Sequence, residues 1–316
     1  MSSYILHRGN RIYRLTMIIV AAGVLGMGLC YTLWAGEAKQ KGFKSPEEAV
    51  QAMEKAVKQD NTNELVALFG PGSKDLISSG DAVADKSGRE HFVAAYEEKH
   101  RIVSEGNNKA ILIVGEHDWP MPIPLVKQGE IWLFDAKAGR DEILNRRIGK
   151  NELNTIEVCL AYVDAQREYA AQDRDGNKLH DYAQRFASTY GKKDGLYWET
   201  KAGEEGSPMG PLMAKAAEEG YVRFTLSPYH GYYYKILKAQ GAHAAGGAYP
   251  YVVKGKMMGG FALVAYPAEY GNSGIMTFVV NQAGVVYQKD LGTETKKIAA
   301  GMTLYDPDET WHPVKE

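Results

Sequence analysis

The run DRDGNKLHD places Asp173, Asp175, Asn177 and Asp181 at alternating positions. Calcium loops use that spacing, because an extended turn points every second side-chain oxygen inward. These four residues would fill the first, third, fifth and ninth places of such a loop, and the carbonyl of Leu179 the seventh. Lys178 departs from the pattern, since it stands where glycine is wanted, and Gln184 replaces the bidentate glutamate. The competing reading is an Asp/Asn-rich turn that caps the following helix. A second group is His117 and Asp118, just before Trp119, with Asp135 at the end of a neighbouring predicted strand. A histidine with carboxylates beside an aromatic wall can move protons in a hydrolytic reaction. The alternative is a polar rim around a structural tryptophan.

The stretch PYHGYYYKIL gathers Tyr229, His230, Tyr232, Tyr233 and Tyr234. Strand alternation sends Tyr232 and Tyr234 to one face and Tyr233 to the other. Such a cluster suits either an aromatic surface for glycan or peptide, or a half-buried strand with its hydroxyls at the rim. The glycine-rich run from Tyr270 to Gly274 does not link a strand to a helix as phosphate loops do, and it reads as a turn. Ser273 lacks a nucleophile-elbow pattern. His91, His100 and His312 lack metal spacing, and Cys159 reads as a small buried apolar residue.

The elements that must position these residues begin with an N-terminal segment. Arg8, Arg11 and Arg14 precede an uncharged apolar run from Leu15 to Trp34. About 20 such residues suffice for a transmembrane helix. The same polarity marks a signal peptide, and Ala35 and Ala38 are cleavage candidates. Both readings put the bulk of the chain outside the cytoplasm, in the periplasm or envelope. Leu29 stands before Cys30 where a lipoprotein needs a small residue. The remainder suits a folded protein: of 316 residues, 45% are apolar and 24% charged. A net charge of -2 gives no basic field for nucleic acid.

Ser45, Pro46 and Glu48 predict a capped helix with Ala49, Val50, Met53, Ala56 and Val57 on its inner face. A short helix ELVALF ends at Gly70, and Ser87 with Glu90 predicts a third helix. AILIVG and IWLFDA read as strands. Pro120 to Gln128, with its prolines, reads as an edge or irregular strand. Residues 141–171 read as helix, DYAQRFAST as a further helical stretch, and PMGPLMAKAAEEG as a short helix. Residues 241–249 read as a flexible insertion. YYYKIL, FALVAY, MTFVVN and VVYQK read as strands, the last two as a hairpin.

The expected class is α+β. Residues 1–14 form a basic lead-in and 15–36 a signal peptide or membrane anchor. Residues 43–148 form helices with a small curved antiparallel sheet, an order similar to the cystatin-like or nuclear transport factor 2-like class. Residues 149–316 form a helix packed on an antiparallel sheet. FGPGSKDLISSGD, the stretch from Asp118 to Leu153, YVDAQREYAAQDRDGN, PYHGYYYKIL, GGFALVAYPAEYGNSGIMTFVVN and GVVYQKDLG resemble the bacterial domain-of-unknown-function 2950 family. The resemblance runs from about Phe43 to the C-terminus. It implies an exported bacterial protein and brings no established activity or catalytic residues. The C-terminal half also resembles the globular part of type IV pilins and pseudopilins, although the apolar segment lies more than a hundred residues upstream and lacks their peptidase site.

The leading expectation is a non-catalytic envelope protein acting through protein or cell-wall contacts, with no cofactor unless the 173–181 loop takes calcium. The second is a small-ligand binder or hydrolase whose first-domain pocket holds His117, Asp118 and Asp135 together. The third is a pilus- or secretion-associated accessory protein, which requires a long helix on a four-stranded sheet after residue 150.

Overall fold

The computed structural model describes residues 39–174, 176, 178–201, 203–221 and 227–315. The fold is α+β, with helices against open antiparallel sheets. The first helix, α1 (Pro46–Lys58), starts where the sequence places it. The Ser45 hydroxyl accepts from the Glu48 N–H at 3.2 Å, and the Glu48 carboxylate accepts from the Lys44 N–H at 3.1 Å. Ala49, Val50, Met53 and Ala56 recur every three or four residues and are buried together. Helix α2 (Thr62–Phe69) ends at Gly70, whose φ of 90° is one that few other residues accept. Helix α3 spans Lys74–Ile77 and α4 spans Ala82–Glu98. The expected start at Ser87 is corrected. Asp81 caps α4 through the Ala84 N–H, and Ser87 lies inside the helix.

Strands β1 (His100–Glu105), β2 (Lys109–Val114), β3 (Trp119–Pro120), β4 (Leu125–Gln128) and β5 (Ile131–Phe134) form one antiparallel sheet. The order is β1-β2-β4-β5, with β3 beside β2. Pro120 to Gln128 is therefore irregular, and its β4 part is not an edge. The chain leaves the ladder over residues 121–124, where Pro122 and Pro124 fall, and β4 re-enters between β2 and β5.

Helix α5 (Ala136–Ala170) is continuous over 35 residues, so the expected division at 148/149 falls within it. Its start, Ala136, belongs to the hydrophobic cluster of α1, α2 and the first sheet. Further along, Val158, Cys159, Tyr162 and Val163 belong to a second cluster. The described residues form one compact unit around the two clusters.

The elements after α5 include α6 (Gly210–Glu218), β6 (Tyr232–Leu237), β7 (Ala239–Gln240), β8 (Tyr249–Pro250), β9 (Val252–Val253), β10 (Lys256–Met257), β11 (Ala262–Pro267), β12 (Met276–Asn281), β13 (Tyr287–Asp290), α7 (Thr295–Gly301) and β14 (His312–Pro313), most of which contribute to the second cluster. Its main sheet has the antiparallel order β14-β13-β12-β11-β6, and α5 packs on β12 and β11. The β12–β13 hairpin is as expected. DYAQRFAST is not helical. Tyr182 pairs with Met257, Ala187 pairs with Tyr197, and the Gln166 amide bonds both backbone groups of Ala183 at 2.8 Å. The Gly/Ala insertion is a bonded turn. The Gln240 amide donates to the carbonyls of Ala245 and Gly247, and the β7–β8 pairing closes its ends.

The expectation of a transmembrane helix is also corrected. Among the described residues no helix is long and apolar enough to cross a membrane. Leu15 to Trp34, on which that expectation rested, lies outside the described residues.

Candidate functional site

A cavity of about 280 Å³ lies within the first core. Met53 and Val57 of α1, Leu65 and Phe69 of α2, Phe92 of α4 and Ile143 of α5 form its apolar walls. All five helices α1 to α5 contribute, because their inner faces meet above the first sheet. Helix α4 covers it unusually: none of its 17 residues is buried. Phe92, Ala95 and Tyr96 of α4 are only partly buried against the cluster.

Asp85, Arg89 and Arg147 give the cavity a polar side. These groups are engaged with the protein. The Arg147 guanidinium donates to the carbonyls of Asp75 at 2.6 Å and Leu76 at 2.8 Å, and to the Asn272 side chain. Burial lowers its pKa, against the opposing pull of Asp85, Asp75 and Glu269. An arginine starts so far above neutrality that it stays charged. The Asp85 carboxylate accepts from the Ser79 N–H at 2.9 Å. Arg89 pairs with Asp60 at 2.7 Å and donates to the Ile77 carbonyl. The described lining holds no serine, cysteine or histidine. It can hold a ligand by apolar contact.

The residues expected to do acid–base work are not brought together here. His117 and Asp118 are exposed on the turn after β2, and Asp135 is spent capping α5 through the Ala138 N–H. None of the three lines the cavity. A hydrogen bond from Lys99, helped by the charges of Lys99 and Arg101, holds the Asp118 carboxyl below the usual carboxylate range. Trp119 is exposed, with the Arg146 guanidinium 5.9 Å from its ring.

Of the predicted calcium ligands, Asp175 and Asn177 lie outside the described residues. Asp173 accepts from the Lys178 N–H at 2.7 Å, and Asp181 lies 3.6 Å from the Lys256 ammonium. Lys178 has a φ of 67°, so it takes up the left-handed conformation that calcium loops give to glycine. Among the described residues no three His, Cys, Asp or Glu side chains cluster as a metal site.

The tyrosine-rich strand behaves as alternation requires. The Tyr232 hydroxyl donates to the Met276 carbonyl at 2.9 Å, and the Tyr234 hydroxyl reaches Thr155 of α5 at 3.4 Å. Tyr233 lies on the opposite face, against Tyr266 and under Lys296 of α7. Cys159 is fully buried, and burial pushes its thiol up to about 12, which suppresses the reactive thiolate.

One constellation was not legible in the sequence. Asp81 is 1% exposed and accepts from the Tyr221 hydroxyl at 2.8 Å and the Gly231 N–H at 2.9 Å. Next to Gly231, His230 sits at a φ of 51° with its Nε2 3.3 Å from Glu219. Burial lowers the His230 pKa, Glu219 and Asp81 oppose that shift, and Lys215 and Lys150 reinforce it. The rings of Tyr229 and Tyr221 pack beside it. A histidine held neutral in the fold gains a proton on unfolding below its ordinary pKa of about 6.5. Its share of stability is therefore complete above that pH and is lost as pH falls from there through the folded value. The thermal midpoint should fall more steeply between about pH 7 and 5 in the wild type than in His230→Asn. Asparagine tolerates the left-handed backbone, so the comparison isolates the proton. Parallel pH profiles of the two proteins would sink the idea.

The fold defines an α+β protein with open antiparallel sheets and an apolar cavity under a helix. The chain belongs to a family described as protein of unknown function (DUF2950), which matches residues 40–314. No curated protein and no solved structure matches it.

Proposed function

We propose that this chain is a non-catalytic ligand-binding protein of the bacterial envelope, holding a small, mostly apolar molecule in the cavity under α4. Helix α4 carries this reading. A helix over a filled core buries its apolar stripe, whereas α4 leaves every residue at least partly exposed above an open cavity. Ligand pockets are mostly apolar and span about 300–1,000 Å³, so this one suits a small guest. Export is supported by the arginines before Leu15 and by the apolar run that follows them. The intact mass of protein recovered from the envelope checks it, with loss of a segment ending near Ala35 or Ala38 as the expected result.

Gly88 stands exposed at the rim of the cavity, and a Cβ there would have no neighbour within 4 Å. Gly88→Phe lays a ring across the opening and removes a helical glycine. Stability should hold or rise by less than about 1 kcal/mol. The full chain should bind the fluorescent probe N-phenyl-1-naphthylamine saturably, and Gly88→Phe should bind it at least about tenfold more weakly, a difference of about 1.4 kcal/mol. Equal affinity in the two proteins, or no saturable binding by the wild type, removes the reading.

The packing of α1, α2 and α4 against the first sheet, with a cavity between, supports a cystatin-like or nuclear transport factor 2-like first core. A second reading, a pilus- or secretion-associated accessory protein, is supported by the long helix α5 on an antiparallel sheet. Crosslinks to pilin-type subunits in intact cells would favour it. Their absence alongside saturable probe binding would favour the first reading.

A further inference from the structure

The second core carries a cleft of a different kind. It has a volume of about 630 Å³, and its lining includes six cationic side chains, Arg174, Arg185, Lys192, Lys193, Lys238 and Lys256, against two carboxylates, Asp181 and Asp194. The chain as a whole has a net charge of -2, so this concentration of positive charge is local. Glu205, which pairs with Arg174 at 3.2 Å, adds a third carboxylate beside the lining, so three carboxylates face six cations. Asp181 is 3.6 Å from Lys256, and Asp194 is 3.6 Å from Arg185. Among the described residues Lys238 reaches the Gln184 amide, at 3.4 Å, and Lys193 lies 5.2 Å from the Trp198 ring centre.

Arg174 makes this a built site and not a lysine-rich surface. Its side chain is 4% exposed, between the rings of Trp198 at 5.3 Å and Tyr169 at 5.6 Å. Nη1 donates to both Glu205 oxygens at 3.2 Å, and Nε makes a long bond to the Tyr169 carbonyl. Nη2 makes no hydrogen bond among the described residues. Arginine's planar fork suits oxyanions, and a guanidinium already ordered by stacking loses little freedom on binding one. The concave shape concentrates the field of the surrounding lysines on the same space. That field repels a divalent cation and attracts an anion.

We propose that this cleft binds a phosphate-bearing ligand, with Arg174 as the fixed contact and Lys192 and Lys238 as the mobile ones. The shared chemistry is a phosphate group of charge near two, whether on a soluble ester or on a lipid headgroup. It is separate from the apolar cavity, since no residue lines both.

The test uses the full chain with two probes, inorganic pyrophosphate and vesicles of phosphatidylcholine with or without phosphatidic acid. Trp198 stacks on Arg174, so tryptophan fluorescence gives a readout alongside calorimetry. Pyrophosphate should bind saturably at low salt and at least about tenfold more weakly near 0.2 M salt, because partly exposed charges are screened. The double variant Lys192→Gln, Lys238→Gln should bind about tenfold more weakly again with an unchanged thermal midpoint. If pyrophosphate fails but phosphatidic acid vesicles sediment the wild type and not the double variant, the phosphate belongs to a lipid headgroup. No binding of either probe, or equal binding by wild type and double variant, overturns the proposal. Arg174→Lys keeps the charge without the fork and should lose affinity while the protein remains folded. Undiminished affinity in that variant would overturn the role given to Arg174.

Discussion

Asp81→Ala should lower the unfolding free energy by about 3–5 kcal/mol, as read from urea denaturation of the full chain. The magnitude follows from what the carboxylate does. One oxygen accepts from the Ala84 N–H and caps α4, which is worth about 1 kcal/mol. The other accepts from the Tyr221 hydroxyl and the Gly231 N–H in a fully enclosed position. Truncation orphans both donors, and each buried orphan costs about 1–3 kcal/mol. Asp81→Asn should cost less. Its amide oxygen can serve one donor, but its NH₂ then meets another donor. In a double-mutant cycle, Tyr221→Phe should remove part of the penalty of Asp81→Ala, because the hydroxyl that would be orphaned is gone. A loss below about 1 kcal/mol in Asp81→Ala would mean that Asp81 does not hold the two cores together.

This residue also shows where sequence reading stops. Helices α1 and α2 were legible because their signals are local: Ser45, Pro46 and Glu48 at one start, and Gly70 at one end. The start of α4 was not. Ser87 and Glu90 imitate a capping box, while the true cap, Asp81, is fixed by partners 140 and 150 positions away. The strand β1 has exposed ends and a middle only half-buried, which leaves no clean alternation in its sequence. DYAQRFAST has a helical period, but pairing with Met257 and Tyr197 overrides it.

The sites divide in the same way. Leu65, Phe69 and Phe92 are recognisable as core residues from their spacing. Which part of the core stays open depends on how closely α4 can approach, and that is a property of five helices at once. The cations of the cleft come from five separate segments between Arg174 and Lys256, so no charge run announces them. His117, Asp118 and Asp135 looked convergent because strand ends often meet. Here Asp135 is taken by a helix start and the other two by a solvent-facing turn. Segments that carried the family resemblance do meet in space. Asp81 ends one, His230 and Gly231 lie in a second, Arg147 in a third and Asn272 in a fourth.

Gly139→Ala should destabilise the protein by about 2–4 kcal/mol, even though alanine is the better helix former by about 1 kcal/mol. A Cβ at Gly139 would lie 2.5 Å from the Pro122 carbonyl oxygen and 2.9 Å from the Ile123 nitrogen. These are main-chain atoms and cannot rotate away. Their segment is held on both sides, by the Met121 N–H on the Leu112 carbonyl and the Asp135 N–H on the Pro124 carbonyl, each at 2.8 Å. Either α5 or the link into β4 must shift. Gly149 supplies the control within the same helix. A Cβ there meets nothing within 4 Å, so Gly149→Ala should stabilise by about 0.5–1 kcal/mol. Opposite signs from one substitution in one helix isolate packing from propensity. Ile123 and Ile143 both face the cavity, so the displacement forced by Gly139→Ala should also weaken N-phenyl-1-naphthylamine binding, while Gly149→Ala should leave it unchanged. If both variants gained stability, α5 would not be packed against Pro122, and the wall it gives the cavity would not be where the fold places it.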